Sequence, residues 1–141
     1  MGLLLLIIAF VLTLFIGSLS LVFSIVYYLV TLRFKSGLKA LNELFYKIAL
    51  SIDQLGNVVC AVPFQFLFTK GLDAHQFGDE DDTVSYVIAR NFYRDRLTWL
   101  GRLLAYTLEL CDKGHLKKAI ENKIKKDKEA YVRVLNKNYY E

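Results

Sequence analysis

The sequence predicts an all-α protein: one transmembrane helix near its start, then a small helical cytoplasmic domain closed by a basic C-terminal helix. Three observations carry that expectation. Leu3 to Leu32 are thirty residues without one Asp, Glu, Lys, Arg, His, Asn, Gln or Pro. Beyond them, apolar residues step by threes and fours, the period of a helix buried on one face. Charge is uneven, with nine Lys/Arg against four acids in residues 113–141 and seven against ten in residues 36–112.

The chain has 141 residues, of which 109 lie beyond Leu32, enough for one small domain beside an anchor. One Pro, eight Gly and two Cys exclude collagen-like, low-complexity and disulfide-stapled classes. The expected organisation is an anchor with its basic flank over 1–35, a helical domain over 36–112 containing the acidic loop 79–82, and a basic amphipathic helix or tail over 113–141.

A thirty-residue helix is about 45 Å long and the hydrocarbon core about 30 Å thick, so the first segment crosses once with length to spare. A secretory signal would carry a basic start and an apolar run of about 7–15 residues. No Lys or Arg precedes Arg33, so the segment reads as an uncleaved anchor. Arg33, Lys35, Lys39 and Lys47 follow it, which places the later part of the chain in the cytoplasm and the start outside. Tyr27 and Tyr28 fit an aromatic belt at the inner interface. Cys60 and Cys111 then face a reducing compartment, where no disulfide is expected. Met1-Gly2 fails as a myristoylation signal because residue 6 is Leu.

Within the anchor, Ala9, Thr13, Gly17, Ser20, Ser24, Tyr27 and Thr31 form one stripe of mostly small or hydroxyl side chains. Such stripes let spanning helices approach closely and hydrogen-bond, so self-association is expected there. Two other readings compete: a weakly polar pore face, and hydroxyls bonded to their own backbone.

Ser36 is placed to cap a second helix, whose seam is Leu38, Leu41, Phe45, Ile48, Ile52 and Leu55. The apolar stretch 57–68, broken by Pro63, is too short to span and is either buried or interfacial. Lys70 to Asp82 is a loop, and its last acid is expected to cap a helix over Thr83–Phe92. Another helix is expected over Leu97–Leu110, stopped at Gly114. Arg90, Arg94, Arg96 and Arg102 are expected to pair with the acidic loop and Asp95. The final helix, His115 to Leu135, has an apolar stripe of Leu116, Ile120, Ile124, Tyr131 and Leu135.

That basic helix beside an anchor points to anionic headgroups, contacted through Arg33, Lys35, Lys117, Lys118, Lys125 and Lys126, with a solvated helix face as the plainer reading. Nucleic acid is disfavoured because no base-reading or stacking motif accompanies the charge. Chemistry is sparse. Cys60, His75, Cys111 and His115 match no zinc-finger spacing, and the acidic run lacks the glycine and the bidentate glutamate of a calcium loop. No nucleophile elbow or glycine-rich phosphate loop is present. The expectation is therefore a non-enzyme without metal or cofactor.

Three segments carry a resemblance. They are Ile52-Asp53-Gln54-Leu55-Gly56-Asn57, Phe77-Gly78-Asp79-Glu80-Asp81-Asp82-Thr83-Val84-Ser85, and Gly114-His115 with Ala119-Ile120-Glu121. In that order they resemble a group of small proteins encoded by tailed bacteriophages and prophages, over residues 48–121. The Gly78–Thr83 segment is longer than the group's usual cap, and the anchor and basic tail are not general features of it. The resemblance implies phage or prophage origin and a bacterial inner-membrane setting, but no activity; beside the lipid bilayer and further copies of the chain, a host or phage membrane protein is the partner considered. Asp53, Gln54 and Asn57 share one helical face, and their polarity in an apolar stretch points to hydrogen bonds inside the fold or to a partner.

Overall fold

The computed structural model describes residues 2–31 and 34–140, with side chains described over 2–31 and 35–133. Arg33, and the side chain of Leu135, lie outside the described residues. The protein is 81% helix with no strand among the described residues. It divides into two compact units, Met1–Ala49 and Leu50–Glu141. The basic helix is thus part of the second unit rather than a separate tail.

In the first unit, α1 (Gly2–Leu12), a π-helical segment (Thr13–Gly17) and α2 (Ser18–Thr31) form one thirty-residue helix, long and apolar enough to cross a membrane, with a mean hydropathy of 2.7 over its most apolar stretch. Next comes α3 (Phe34–Val59), which begins before Ser36, so that residue lies inside the helix and does not cap it. Gly37 is buried with the Tyr28 carbonyl against its Cα, and a Cβ there would overlap that oxygen. Only glycine permits this approach. Along the expected seam Leu41 is buried, while Leu38, Phe45, Ile52 and Leu55 remain exposed.

In the second unit, Cys60 breaks the helix, and α4 (Ala61–Phe68) leaves at 83° to α3. Pro63 is tolerated as the third residue of α4, where no intrahelical acceptor is available for an amide. Burial accounts for one side of this stretch only. Ala61, Phe64 and Phe68 pack on the core, whereas Val62 and Phe66 are more than four-fifths exposed.

The core is formed by α5 (Val84–Tyr93), α6 (Trp99–Cys111) and α7 (His115–Tyr140), with Val87, Ile88, Leu97, Ala105 and Leu116 at its centre. Each start is fixed chemically. Thr83 Oγ1 accepts from the Tyr86 amide at 3.0 Å, so Thr83, not Asp82, caps α5. Thr98 Oγ1 accepts from Gly101 N at 3.1 Å and donates to the Leu67 carbonyl at 2.6 Å, coupling the cap of α6 to α4. The Glu109 carboxylate accepts from Gly114 N and Leu116 N, both at 2.9 Å, and so caps α7 from the preceding helix. Gly114, at φ +77°, makes the turn between them.

At Gly101, α6 meets the end of α4 so closely that a Cβ would overlap the Phe68 carbonyl. Gly101→Ala is therefore expected to destabilise the second unit by about 1–3 kcal/mol through overpacking, read as a lowered denaturant midpoint.

Candidate functional site

The polar side chains that sequence reasoning singled out converge on the acidic loop. Asn57, fully buried near the end of α3, donates through Nδ2 to the Asp79 carbonyl at 2.7 Å and accepts from Gly78 N at 3.4 Å. Gln54 Nε2 donates to the Asp81 carbonyl at 3.4 Å. Two of the three polar residues on that face therefore hold the loop; Asp53 is half-buried beside them.

Asp82 is the centre of the cluster. Its carboxylate is 3% exposed, with Oδ2 2.8 Å from His75 Nε2 and Oδ1 2.8 Å from Lys123 Nζ. The second contact is an ion pair without a well-angled hydrogen bond. His75 is fixed in turn: its amide donates to Asn91 Oδ1 and its carbonyl accepts from Asn91 Nδ2, both at 2.8 Å. Its ring stands edge-on to Tyr86, whose hydroxyl accepts from Arg90 at 2.7 Å. Burial alone would lower the pKa of Lys123, but the Asp82 carboxylate, helped by Asp127 and Asp79, outweighs that and raises it. One turn on, Lys126 Nζ is 2.8 Å from Asp81 Oδ1 and holds that exposed carboxyl below its ordinary value.

Among Lys117, Lys118, Lys123, Lys125 and Lys126 of α7 only Lys123 is largely buried, and the others form exposed pairs. Lys126 pairs with the acidic loop, Lys117 and Lys125 with Glu121 and Glu129 on their own helix, and Lys118 with Asp112. Arg102 pairs with Asp95 as expected, but Arg96 pairs with Asp73 and Arg90 with the Tyr86 hydroxyl rather than with the acidic loop. The loop is met instead by Lys123 and Lys126 of α7.

A second polar array joins three helix ends. Ser85 Oγ lies 3.2 Å from His115 Nε2, and His115 Nδ1 lies 3.4 Å from Asp112 Oδ2. The hydrogen bond from Lys118, then that from His115, holds the Asp112 carboxyl below its ordinary value. The order of groups is that of an acyl-transfer triad, but Ser85 is buried between helices and Asp112 is committed to Lys118. The array works as a staple between the starts of α5 and α7. Cys60 and Cys111 are free thiols, and no group of three or more His, Cys, Asp or Glu is gathered for a metal among the described residues.

In the first helix, two of the stripe's hydroxyls bond their own backbone: Thr13 Oγ1 donates to the Ala9 carbonyl and Ser24 Oγ to the Ser20 carbonyl, each at 2.8 Å. The π-helical segment also widens the turn between Thr13 and Gly17, rotating Ala9 and Thr13 away from the line of Ser20, Ser24, Tyr27 and Thr31.

Sequence reasoning missed the roles of His75, Asp82, Asn91, Lys123 and Glu109. A signal existed for two of them. Asn91 follows Val84, Val87 and Ile88 on the inner face of α5, and Lys123 follows Leu116 and Ile120 on the inner face of α7. A polar residue in a core register requires a partner.

No protein-family model, curated protein or solved structure matches this chain.

The Lys123–Asp82 pair has a pH signature. Because the folded pKa of Lys123 is raised above 10.5, its stabilisation is fully present below pH 10.5 and lost as pH rises through the folded value. Lys123→Met, which strands a buried carboxylate, is expected to cost about 3 kcal/mol at neutral pH in chemical denaturation. The gap from the unsubstituted protein should narrow as pH rises above 10.5 and through the folded value; a constant gap would show that the ion pair is not its source.

Proposed function

We propose that this chain is a non-enzymatic, single-pass protein of a bacterial inner membrane, a phage or prophage accessory factor. It self-associates and scaffolds or modulates a membrane-associated partner. The observation that carries this reading is a division of labour. A thirty-residue apolar helix supplies the anchor, while a helical unit commits its buried polar groups to internal contacts and leaves large apolar side chains exposed. Buried polar groups that hold a loop and a helix suit a rigid binding module better than a reacting site. The phage assignment rests on the sequence pattern around Asp53, Gln54, Asn57 and the acidic loop.

A holin-like pore is the rival. It needs a polar stripe facing a lumen, and the Thr13 and Ser24 protons are already given to backbone carbonyls. Light scattering of the detergent-solubilised protein is expected to give a discrete oligomer that Gly17→Leu reduces, since a bulky side chain at the small-residue stripe separates the helices. Vesicles carrying the protein should stay tight to an entrapped dye. Leakage abolished by Gly17→Leu would select the pore; a monomer would remove both readings.

Orientation has its own test. Cys111 is exposed, so a membrane-impermeant maleimide should label it in inverted inner-membrane vesicles and not in intact cells. The reverse pattern would place the helical unit outside.

A further inference from the structure

Helix α6 is apolar on two opposite sides. Gly101, Leu104, Ala105 and Leu108 face the core, while Trp99, Leu103, Tyr106 and Leu110 are each more than half exposed. Spaced four, three and four, the outer residues line one side of the helix over about 16 Å. Two of them are Trp and Tyr, whose part-apolar, part-polar rings settle at the level of lipid headgroups.

Charge around this face is one-sided. The acids on and next to α6 are committed: Asp95 pairs with Arg102 and Lys70, Glu109 accepts from the amides of Gly114 and Leu116, and Asp112 is held by Lys118 and His115. The cations at the two ends are not. Arg94, which ends α5, and Lys113, just past α6, are both exposed, and neither forms an ion pair among the described residues. An apolar helix face flanked by uncommitted cations complements an anionic lipid surface. Paired with itself, the same face would set cation against cation at both ends.

We propose that the outer face of α6 docks on an anionic bilayer. Trp99, Leu103, Tyr106 and Leu110 enter the boundary between headgroups and acyl chains, and Arg94 and Lys113 meet lipid phosphates at either end. The inference rests on the membrane-spanning reading of the first helix and is independent of self-association. A chain already tethered by that helix meets the lipid surface at high effective concentration, so a face of four side chains and two charges is sufficient. Docking then follows headgroup charge, which makes the placement of the second unit sensitive to lipid composition.

The test uses the full-length chain in vesicles of equal parts phosphatidylglycerol and phosphatidylcholine, the latter brominated high on its acyl chains. Flotation reads membrane insertion, and quenching of Trp99, the single tryptophan, reads docking. Strong quenching is expected, and weaker quenching when unbrominated phosphatidylcholine replaces the phosphatidylglycerol. Arg94→Gln and Lys113→Gln should each lower the docked-to-undocked ratio about fivefold in the anionic vesicles and leave it unchanged in the neutral ones. Leu103→Gln should lower it about tenfold in both, with helical circular dichroism unchanged. Vesicles that carry the protein without quenching Trp99 overturn the docking and leave the membrane-spanning reading standing. A chain that does not float overturns both. Quenching indifferent to headgroup charge, to the two cations or to Leu103→Gln overturns the proposed face. Trp99 shielded from acrylamide yet untouched by bromine gives the face to a protein contact and overturns it as well.

Discussion

The second unit depends on one buried carboxylate. Asp82 sits out of water between His75 and Lys123, and a charge there is tolerated only because both partners are in place. The partners come from seven residues before and forty-one after it, so satisfying one side chain fixes the loop and the last helix together. The residue after Asp82, Thr83, caps α5, so the same fixed point sets where that helix begins. Asn57 then ties the end of α3 to the loop, and Asn91 holds His75 in position. Removing the carboxylate's partners therefore loosens more than a surface loop.

What the sequence makes legible is what local chemistry decides. The helices α5, α6 and α7 are readable because their starts and stops are written within a few residues: Thr83, Thr98 and Gly114. The all-helical fold and the long apolar first helix follow from periodicity and composition alone. Sequence alone misplaces the cap of α5 by one residue because Asp82 and Thr83 are both good capping residues. The choice is made by His75 and Lys123, which no local pattern reveals. The α4 elbow is equally hidden, since Pro63 breaks a helix in its interior but is accommodated in its first turn. Distance in sequence, not weakness of signal, hides the cluster.

The basic helix shows that positive charge can serve more than one end. Lys118, Lys123 and Lys126 reach carboxylates outside α7, whereas Lys117 and Lys125 pair only along their own helix and stay exposed. Part of that charge serves assembly of the fold. Large apolar side chains also remain exposed on α3, α4, α6 and α7.

The π-helical turn at Thr13–Gly17 gives the anchor an unusual tolerance. A π turn holds one residue more than the helical repeat requires. Deleting a single residue there would relax the segment to ordinary helix while leaving the two flanking halves in their present angular relation. Since about 20 residues suffice to cross a bilayer, the shortened helix would still be long enough to span. The segment can therefore lose one residue at this turn without altering which faces its two halves present.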